Sequence, residues 1–331
     1  MTDSLPVAED EEGLRLDRWF KRHFPTLGHG PLEKLLRSGQ IRIDGRRARA
    51  GDRIESGQLI RIPPQLEYLP GEVAARPVTV SDSDREWLGS LVIYQDDAVI
   101  VLNKPAGIPT QGGSGVTRHI DGLLPALQEN KRQRPRLVHR LDRDTSGVLV
   151  IARTVPAAAA LSMSLRQRDA RKIYWALTRG VPKPHRGTIR MALEKQPGFG
   201  PRGSDERMVA APDAGEGSRM AVTHYEVVGA AADQYAWVAL RPITGRTHQL
   251  RAHLAHIATP IVGDMKYGGD HAAGRGELDN RLHLHARSID IAHPNGGRLF
   301  VEAPLPPHML RAWKLFGFDP DLQGNGPAKE I

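Results

Sequence analysis

The segment HRLDRDTSG at residues 139–147 runs directly into the apolar VLVIA at 148–152. A charged loop feeding an uninterrupted apolar run reads as a loop-to-strand junction. The spacing predicts a strand over 147–152 buried on both faces. Asp142 and Asp144 lie in this loop among Arg140 and Arg143. A carboxylate in a basic setting has its charged form favoured, which suits a nucleophile or a base and argues against a general acid. The same residues would also serve as a salt-bridged turn in which Asp144 or Thr145 makes local backbone bonds, and the segment alone leaves both readings open.

Outward from this junction the pattern is one of short strands and turns. The runs 91–94 and 99–102 flank Gln95-Asp96-Asp97 as a hairpin. In 173–177, Ile173, Trp175 and Leu177 alternate with Tyr174 and Ala176, and 237–240 reads as a further strand. Helices are expected over 156–167, with Thr154 near its start, and over 247–257, where Leu250, Leu254 and Ile257 share one side. Glycine-rich loops are expected at about 196–218 and 268–276. The 34 glycines and 25 prolines favour strands joined by loops over a helical bundle.

The N-terminal part reads differently. Leu16, Trp19 and Phe20 mark one face of a helix over 14–23, and Leu32, Leu35 and Leu36 one face of a second over 31–38, with Gly39 as its stop. Short strands follow at 41–43 and 59–62, with Asp44-Gly45 as a hairpin turn. Residues 1–12 read as a disordered acidic arm, 63–86 as a proline-containing linker and 319–331 as a frayed tail. Two folded units remain, 13–62 and 87–318.

The net charge of +8 is concentrated in two blocks: 13–62 carries +7 and 131–172 carries +8, so the remainder is acidic. Such blocks point to a polyanion partner, although solvated faces would give the same count. No run of about 18 apolar residues suggests a membrane span, and the acidic N-terminus is not a secretory signal. The absence of cysteine excludes disulfides and thiolate chemistry and fits a reducing cytosol.

Three further segments bear on chemistry. In TGRTHQLRAHLAH at 244–256 a turn precedes a helix, with Arg251 in its first turn near His248. His248, His253 and His256 raise the question of a metal. There is no HExxH pattern, and Asp264 is the nearest downstream carboxylate, so no metal is expected. Tyr174 sits in a strand, where packing is the commoner use of a tyrosine. Asn103-Lys104-Pro105-Ala106-Gly107 and the QGGSG at 111–115 have neither Walker nor GxGxxG spacing, so no nucleotide cofactor is expected.

HRLDRDTSG, THQLRAH, RKIYWAL at 171–177, VLNKPAG at 101–107 and RLHLHA at 281–286 together resemble the RluA-type pseudouridine synthases, over about residues 88–310. Within that family the QGGSG run is most similar to the C-type large-subunit rRNA enzymes, and 13–62 resembles an S4 RNA-binding domain. The resemblance implies an α+β protein: a small S4-like α/β domain, then a catalytic domain on a mixed, mainly antiparallel sheet. It implies Asp142 as the catalytic aspartate, Arg251 as its ion-pair partner, and Tyr174 packing on the target base and taking its proton. It also implies Arg140 filling the space the base leaves and Leu284 as an apolar floor, with His248 among the substrate-binding residues. Arg15, Arg18, Arg22, Lys34, Arg37, Arg46 and Arg47 would bind RNA. The implied substrate is uridine in large-subunit ribosomal RNA, the reaction needs no cofactor, and the absence of heptads leaves a monomer as the default. The reading from another class is a non-enzymatic rRNA-binding or ribosome-assembly factor that uses the same basic patches, with Asp142 merely structural.

Overall fold

The strand expected at 147–152 spans Ser146–Ala152, and every residue of it is buried. The computed structural model describes residues 3–24, 27–64, 66, 80–112, 116–128, 133–196, 207–211 and 217–322. It divides into two units, Met1–Val80 and Ser81–Ile331.

The N-terminal unit contains β1 (Asp3–Pro6), α1 (Leu16–His23), α2 (His29–Arg37), β2 (Arg42–Ile43), β3 (Arg46–Arg47) and β4 (Leu59–Ile62). Its antiparallel sheet has the order β1-β4-β2-β3. Leu16, Trp19 and Phe20 of α1 and Leu32 and Leu36 of α2 pack with Ile41, Ile54 and Ile60. The Asp44-Gly45 turn between β2 and β3 has both residues at positive φ, 48° and 76°, as a tight hairpin matched to strand twist requires.

One expectation fails here. The acidic arm is part of the fold: β1 pairs with β4 in register Asp3↔Ile62 to Pro6↔Leu59. The buried Glu11 accepts from Trp19 Nε1 at 2.8 Å and lies 2.6 Å from His23 Nε2. Composition marks this segment as polar, but its backbone has a strand edge to pair with and the buried Glu11 carboxylate has donors waiting.

The second unit opens with α3 (Asp82–Ser90), capped by Ser81 Oγ, which accepts from Asp84 N–H. The expected linker therefore ends before 82, while most of 63–79 lies outside the described residues. Then come β5 (Val92–Gln95), β6 (Val99–Lys104), α4 (Ile120–Leu123), β7 (Arg136–Leu137), β8 (Ser146–Ala152), α5 (Val155–Ser164) and β9 (Arg171–Arg179). These are followed by β10 (Arg186–Gln196), β11 (Arg207–Ala210), β12 (Arg219–Ala231), β13 (Tyr235–Pro242), α6 (Gln249–His256), β14 (Leu284–Ala292), β15 (Arg298–Glu302) and α7 (Pro307–Phe316).

One sheet runs in the order β11-β10-β12-β13-β9-β14-β8-β6-β5, with β15 on β14 and β7 on β8. Every pair is antiparallel except β14 with β8. This is the mixed, mainly antiparallel α+β arrangement expected. The strand alternation decides which layer each side chain joins. Ile173, Trp175 and Leu177 of β9 pack with Trp313 of α7, whereas Tyr174 and Ala176 face Leu250 and Leu254 of α6.

The expected loop at 196–218 contains β11, which pairs with β10 from Leu193↔Ala210 to Gln196↔Arg207. A four-residue edge strand between glycine-rich segments carries no periodic pattern long enough to read. The expected frayed tail at 319–331 lies mostly outside the described residues, as do 113–115 of the QGGSG run.

Candidate active site

The loop before β8 is tied down through its main chain. Lys104, at the end of β6, is fully buried. Its ammonium donates to the carbonyls of Pro105 and Ile108 at 2.9 Å and to that of Arg143 at 3.1 Å. Burial pushes this lysine down to about 8, against the pull of Asp144 and Asp142. Gly107 N–H donates to the same Arg143 carbonyl. Thr110 Oγ1 donates to the Leu141 carbonyl at 2.7 Å and accepts from Leu141 N–H at 3.1 Å. The VLNKPAG segment is thus a strap beneath the loop, with its lysine turned inward.

Gly147 completes the arrangement. Its φ is +110°, and a Cβ there would overlap the Ala286 backbone, so only glycine lets β8 enter beside β14 at this point. Asp144 forms a pair with its neighbour, accepting from Arg143 Nε at 3.0 Å. Asp142 is half-buried, and among the described residues no side chain donates to its carboxylate. It is held by its backbone, and its carboxylate is left uncommitted.

The opposite side is built from the segment 244–267. Gln249 Oε1 accepts from Thr244 Oγ1 and Arg246 N–H, and its Nε2 donates to the Val222 carbonyl and Thr223 Oγ1. One buried amide therefore pins the turn before α6 to β12. The helix begins two residues later than the sequence suggests, because His248 at φ 51°, ψ 20° is left-handed.

Arg251 is buried and makes a two-pronged contact with Asp264, from Nε to Oδ2 at 2.8 Å and from Nη2 to Oδ1 at 2.7 Å. This corrects the expected ion pair: the fork of Arg251 is filled by Asp264, and Asp142 reaches Arg251 only as a nearby charge. Burial works against the guanidinium, but the bonds and charge of Asp264, with Asp142 adding to them, raise its pKa. Gly263 (φ +79°) makes this pairing possible, since a Cβ would overlap the Arg281 carbonyl. Tyr267 closes the network: its N–H donates to Asp264 Oδ1 at 3.2 Å, its ring lies 5.1 Å from the Arg251 guanidinium carbon, and its hydroxyl is 2.9 Å from His248 Nδ1.

Between the two sides lies a cavity of about 720 Å³ whose lining includes Arg140, Asp142, Tyr174, His248, Arg251 and Leu284. All six site residues expected in the second unit therefore meet in one cleft. Its size is that of a small-ligand site. Tyr174 and Leu284 come from the adjacent strands β9 and β14 and form its apolar wall. Burial, and then the charge of Asp142, raise the Tyr174 pKa, so its phenol is neutral at ordinary pH and is a better packing surface than a proton acceptor. Arg140 is exposed at the mouth, where Arg166, Arg168, Lys172 and Arg246 also line the cavity.

The N-terminal candidates divide. Arg15 is paired with Asp17 at 2.7 Å and Arg22 with Glu11 at 3.4 Å, whereas Arg18, Lys34, Arg37, Arg46 and Arg47 are exposed. Sequence reasoning passed over Lys104, Thr110, Gln249 and Tyr267 as site-builders and met Asp264 only as a carboxylate near histidines.

A model of the RNA pseudouridylate synthase family matches residues 98–256, the span that holds Asp142, Tyr174, His248 and Arg251. RNA pseudouridine synthase 4, mitochondrial, of Arabidopsis thaliana is 33% identical, covering 95% of this chain and 81% of that protein. Ribosomal large subunit pseudouridine synthase C of Escherichia coli is also 33% identical, over 93% of this chain and 94% of that one. The chain belongs to the RNA pseudouridylate synthase family. Among solved structures, human RNA pseudouridylate synthase domain containing 4 is 29% identical with a TM-score of 0.59, over 71% of this chain and 96% of that one. This pseudouridine synthase is therefore an isomerase of the RluA/RluC-like kind.

Proposed function

We propose that this pseudouridine synthase isomerises specific uridines of large-subunit (23S) rRNA, with Asp142 acting at the sugar of a flipped-out uridine. The observation that carries this reading is the uncommitted Asp142 carboxylate facing a cleft that also holds a fully paired arginine, a neutral tyrosine and an apolar wall. The substrate follows the relatives named ribosomal large subunit pseudouridine synthase C.

The reaction breaks C1′–N1, turns the uracil over and joins C5 to C1′. The C5 proton is lost and N1 gains one. Atoms and electrons balance within the nucleotide, so the scheme needs no redox or group-donor cofactor. Breaking C1′–N1 develops positive charge on the sugar, which an ionised carboxylate stabilises. Extruding the base costs a few kcal/mol. Arg140 at the mouth offsets that by filling the vacancy, and the wall of Tyr174 and Leu284 packs against the freed ring. Arg251, neutralised by Asp264, holds the site's polar floor without tying up Asp142.

The N-terminal unit acts in this reading as an S4-like RNA-binding domain, with Lys34, Arg37, Arg46 and Arg47 on phosphates. The enzyme works as a cytoplasmic monomer. No described helix is long and apolar enough to cross a membrane.

The test is site-resolved pseudouridine mapping on large-subunit rRNA. Asp142→Asn is expected to bind RNA as the wild type does and to convert no uridine; wild-type conversion by that variant would overturn the assignment. Replacing Arg46 and Arg47 with Gln should lower the salt slope of RNA binding by about 0.7 to 0.9 per lost phosphate contact, and an unchanged slope would remove those residues from the interface.

A further inference from the structure

Tyr267 lies outside the matched family span and contacts three parts of the site at once. Its hydroxyl is 2.9 Å from His248 Nδ1 and also 2.9 Å from the backbone nitrogen of Met208, in the edge strand β11. A backbone amide can only donate, so Met208 N–H occupies an acceptor position of the phenol oxygen. The hydroxyl hydrogen then needs an acceptor of its own, and His248 Nδ1 is the one within reach. A half-buried hydroxyl that leaves its hydrogen unused beside an acceptor at 2.9 Å forfeits a bond already in reach. This assigns Nδ1 as the acceptor, which places the imidazole proton on Nε2. His248 lines the cleft, so Nε2–H is the polar group it has left to offer there.

We infer that Tyr267 locks His248 into the Nε2–H tautomer, so that His248 gives a neutral hydrogen bond to a carbonyl or hydroxyl oxygen of the nucleotide in the cleft. Tyr267 is then a positioning residue and His248 a nucleotide-binding one. The inference rests on the proposed uridine reading of the same cleft.

The charges around the ring agree with a neutral donor. The groups acting on His248 are Asp142, Arg251, Lys266 and Asp264. Burial lowers its pKa, the two aspartates oppose that, and Arg251 and Lys266 add to it, with a net lowering. Burial also pushes Tyr267 up to about 12, so its proton is present to be donated. A charged imidazolium here would compete for Asp142 and tie up the carboxylate that the sugar needs. The neutral tautomer supplies a directed bond and leaves Asp142 uncommitted.

The first test is the nitrogen NMR of histidine-labelled full-length enzyme, with His248 assigned by its loss in His248→Gln. The expected result is an unprotonated Nδ1 and a protonated Nε2, shifting to a tautomer mixture in Tyr267→Phe. The second test is single-turnover conversion of rRNA. A glutamine amide nitrogen falls where Nε2 was, and an asparagine amide falls where Nδ1 was. His248→Gln should therefore stay within about threefold of wild type while His248→Asn loses about tenfold or more, as expected for one lost hydrogen bond. Tyr267→Phe should lose about fivefold in rate at saturating RNA, with RNA affinity unchanged. Protonated Nδ1 in the wild type, or Asn performing as well as Gln, overturns the inference. Asp142→Asn run in the same assay separates the two ideas: its activity would sink the uridine reading, whereas its inactivity beside indifferent His248 variants sinks only this one.

Discussion

The two sides of the cleft are held by different means. Asp142 is fixed by its backbone: Lys104 and Thr110 bind the carbonyls and amide of the residues on either side of it, and nothing described grips its carboxylate. Arg251 is fixed by its side chain, clamped by Asp264, with Gln249 and Tyr267 setting the turns around it. The difference fits what the proposed reaction asks of each group. In that reaction a carboxylate that acts on a sugar must be aimed without being neutralised, and here the main chain does the aiming. A buried guanidinium cannot be left without a counter-charge, so its own fork is filled.

The largest expected effect comes from removing the Asp142 charge. Asp142→Asn keeps the backbone bonds and should cost at least about a thousandfold in single-turnover rate, or about 4 kcal/mol of transition-state stabilisation, with no change in thermal midpoint. A matching loss of stability would mean that the carboxylate is structural and that the contrast between the two sides is false.

Asp264→Asn attacks the other side. It strips the counter-charge from a buried arginine, which costs about 3 to 5 kcal/mol of stability when one partner of such a pair is removed. The double variant Asp264→Asn with Arg251→Met should recover most of the stability and none of the activity. If the double variant regained activity, Arg251 would be a mere consequence of burying Asp264.

Legibility in the sequence followed the same division. Strands such as 146–152 and 171–179 could be read because a period-two pattern or an apolar run is local. The six cleft residues could be named because the segments that carry them resemble a family. What supports them was hidden. The Arg251–Asp264 pair depends on a turn at Gly263 that only a close approach to Arg281 explains, and Lys104 looks like any surface lysine until β6 is seen to be buried on both sides. The ordered acidic segment was hidden too, because strand β1 exists through its pairing with β4 and not through its own propensity.

Lys104→Met sharpens the contrast at smaller cost. Methionine fills the same space but removes the lysine donor from the Pro105 and Ile108 carbonyls and leaves the Arg143 carbonyl with Gly107 N–H alone, offset by the relief of a desolvated charge. A net loss of about 2 kcal/mol is expected, with a rate drop of about tenfold from a misaimed Asp142. RNA affinity should hold. If stability falls and the rate does not, the strap beneath the loop supports the fold and not the chemistry.

The last prediction concerns acid. His285 is fully buried beside Leu284, 2.9 Å from Ser146 Oγ and 3.2 Å from the Ala303 carbonyl, so a neutral ring is satisfied at both nitrogens. Burial holds it down to about 3 in the fold, and His283 to about 4. Both rings regain an ordinary pKa near 6.5 when the chain unfolds. Below that value the unfolded chain binds protons that the folded one refuses. Stability contributed by the neutral rings is thus present above pH 6.5 and is lost as pH falls toward their folded values, at about 1.4 kcal/mol per unit for each histidine. Thermal midpoints measured from pH 7 to pH 4.5 should fall steadily, and His285→Gln should flatten the slope while lowering the starting value. Ser146 begins the strand that follows the 139–145 loop, and the neutral His285 ring accepts from its hydroxyl at the base of that loop. Because the ring stays neutral in the fold down to about pH 3, that contact is lost only as the chain unfolds; His285 found protonated in the folded enzyme at pH 5 would show that the loop responds to acid apart from the rest of the sheet.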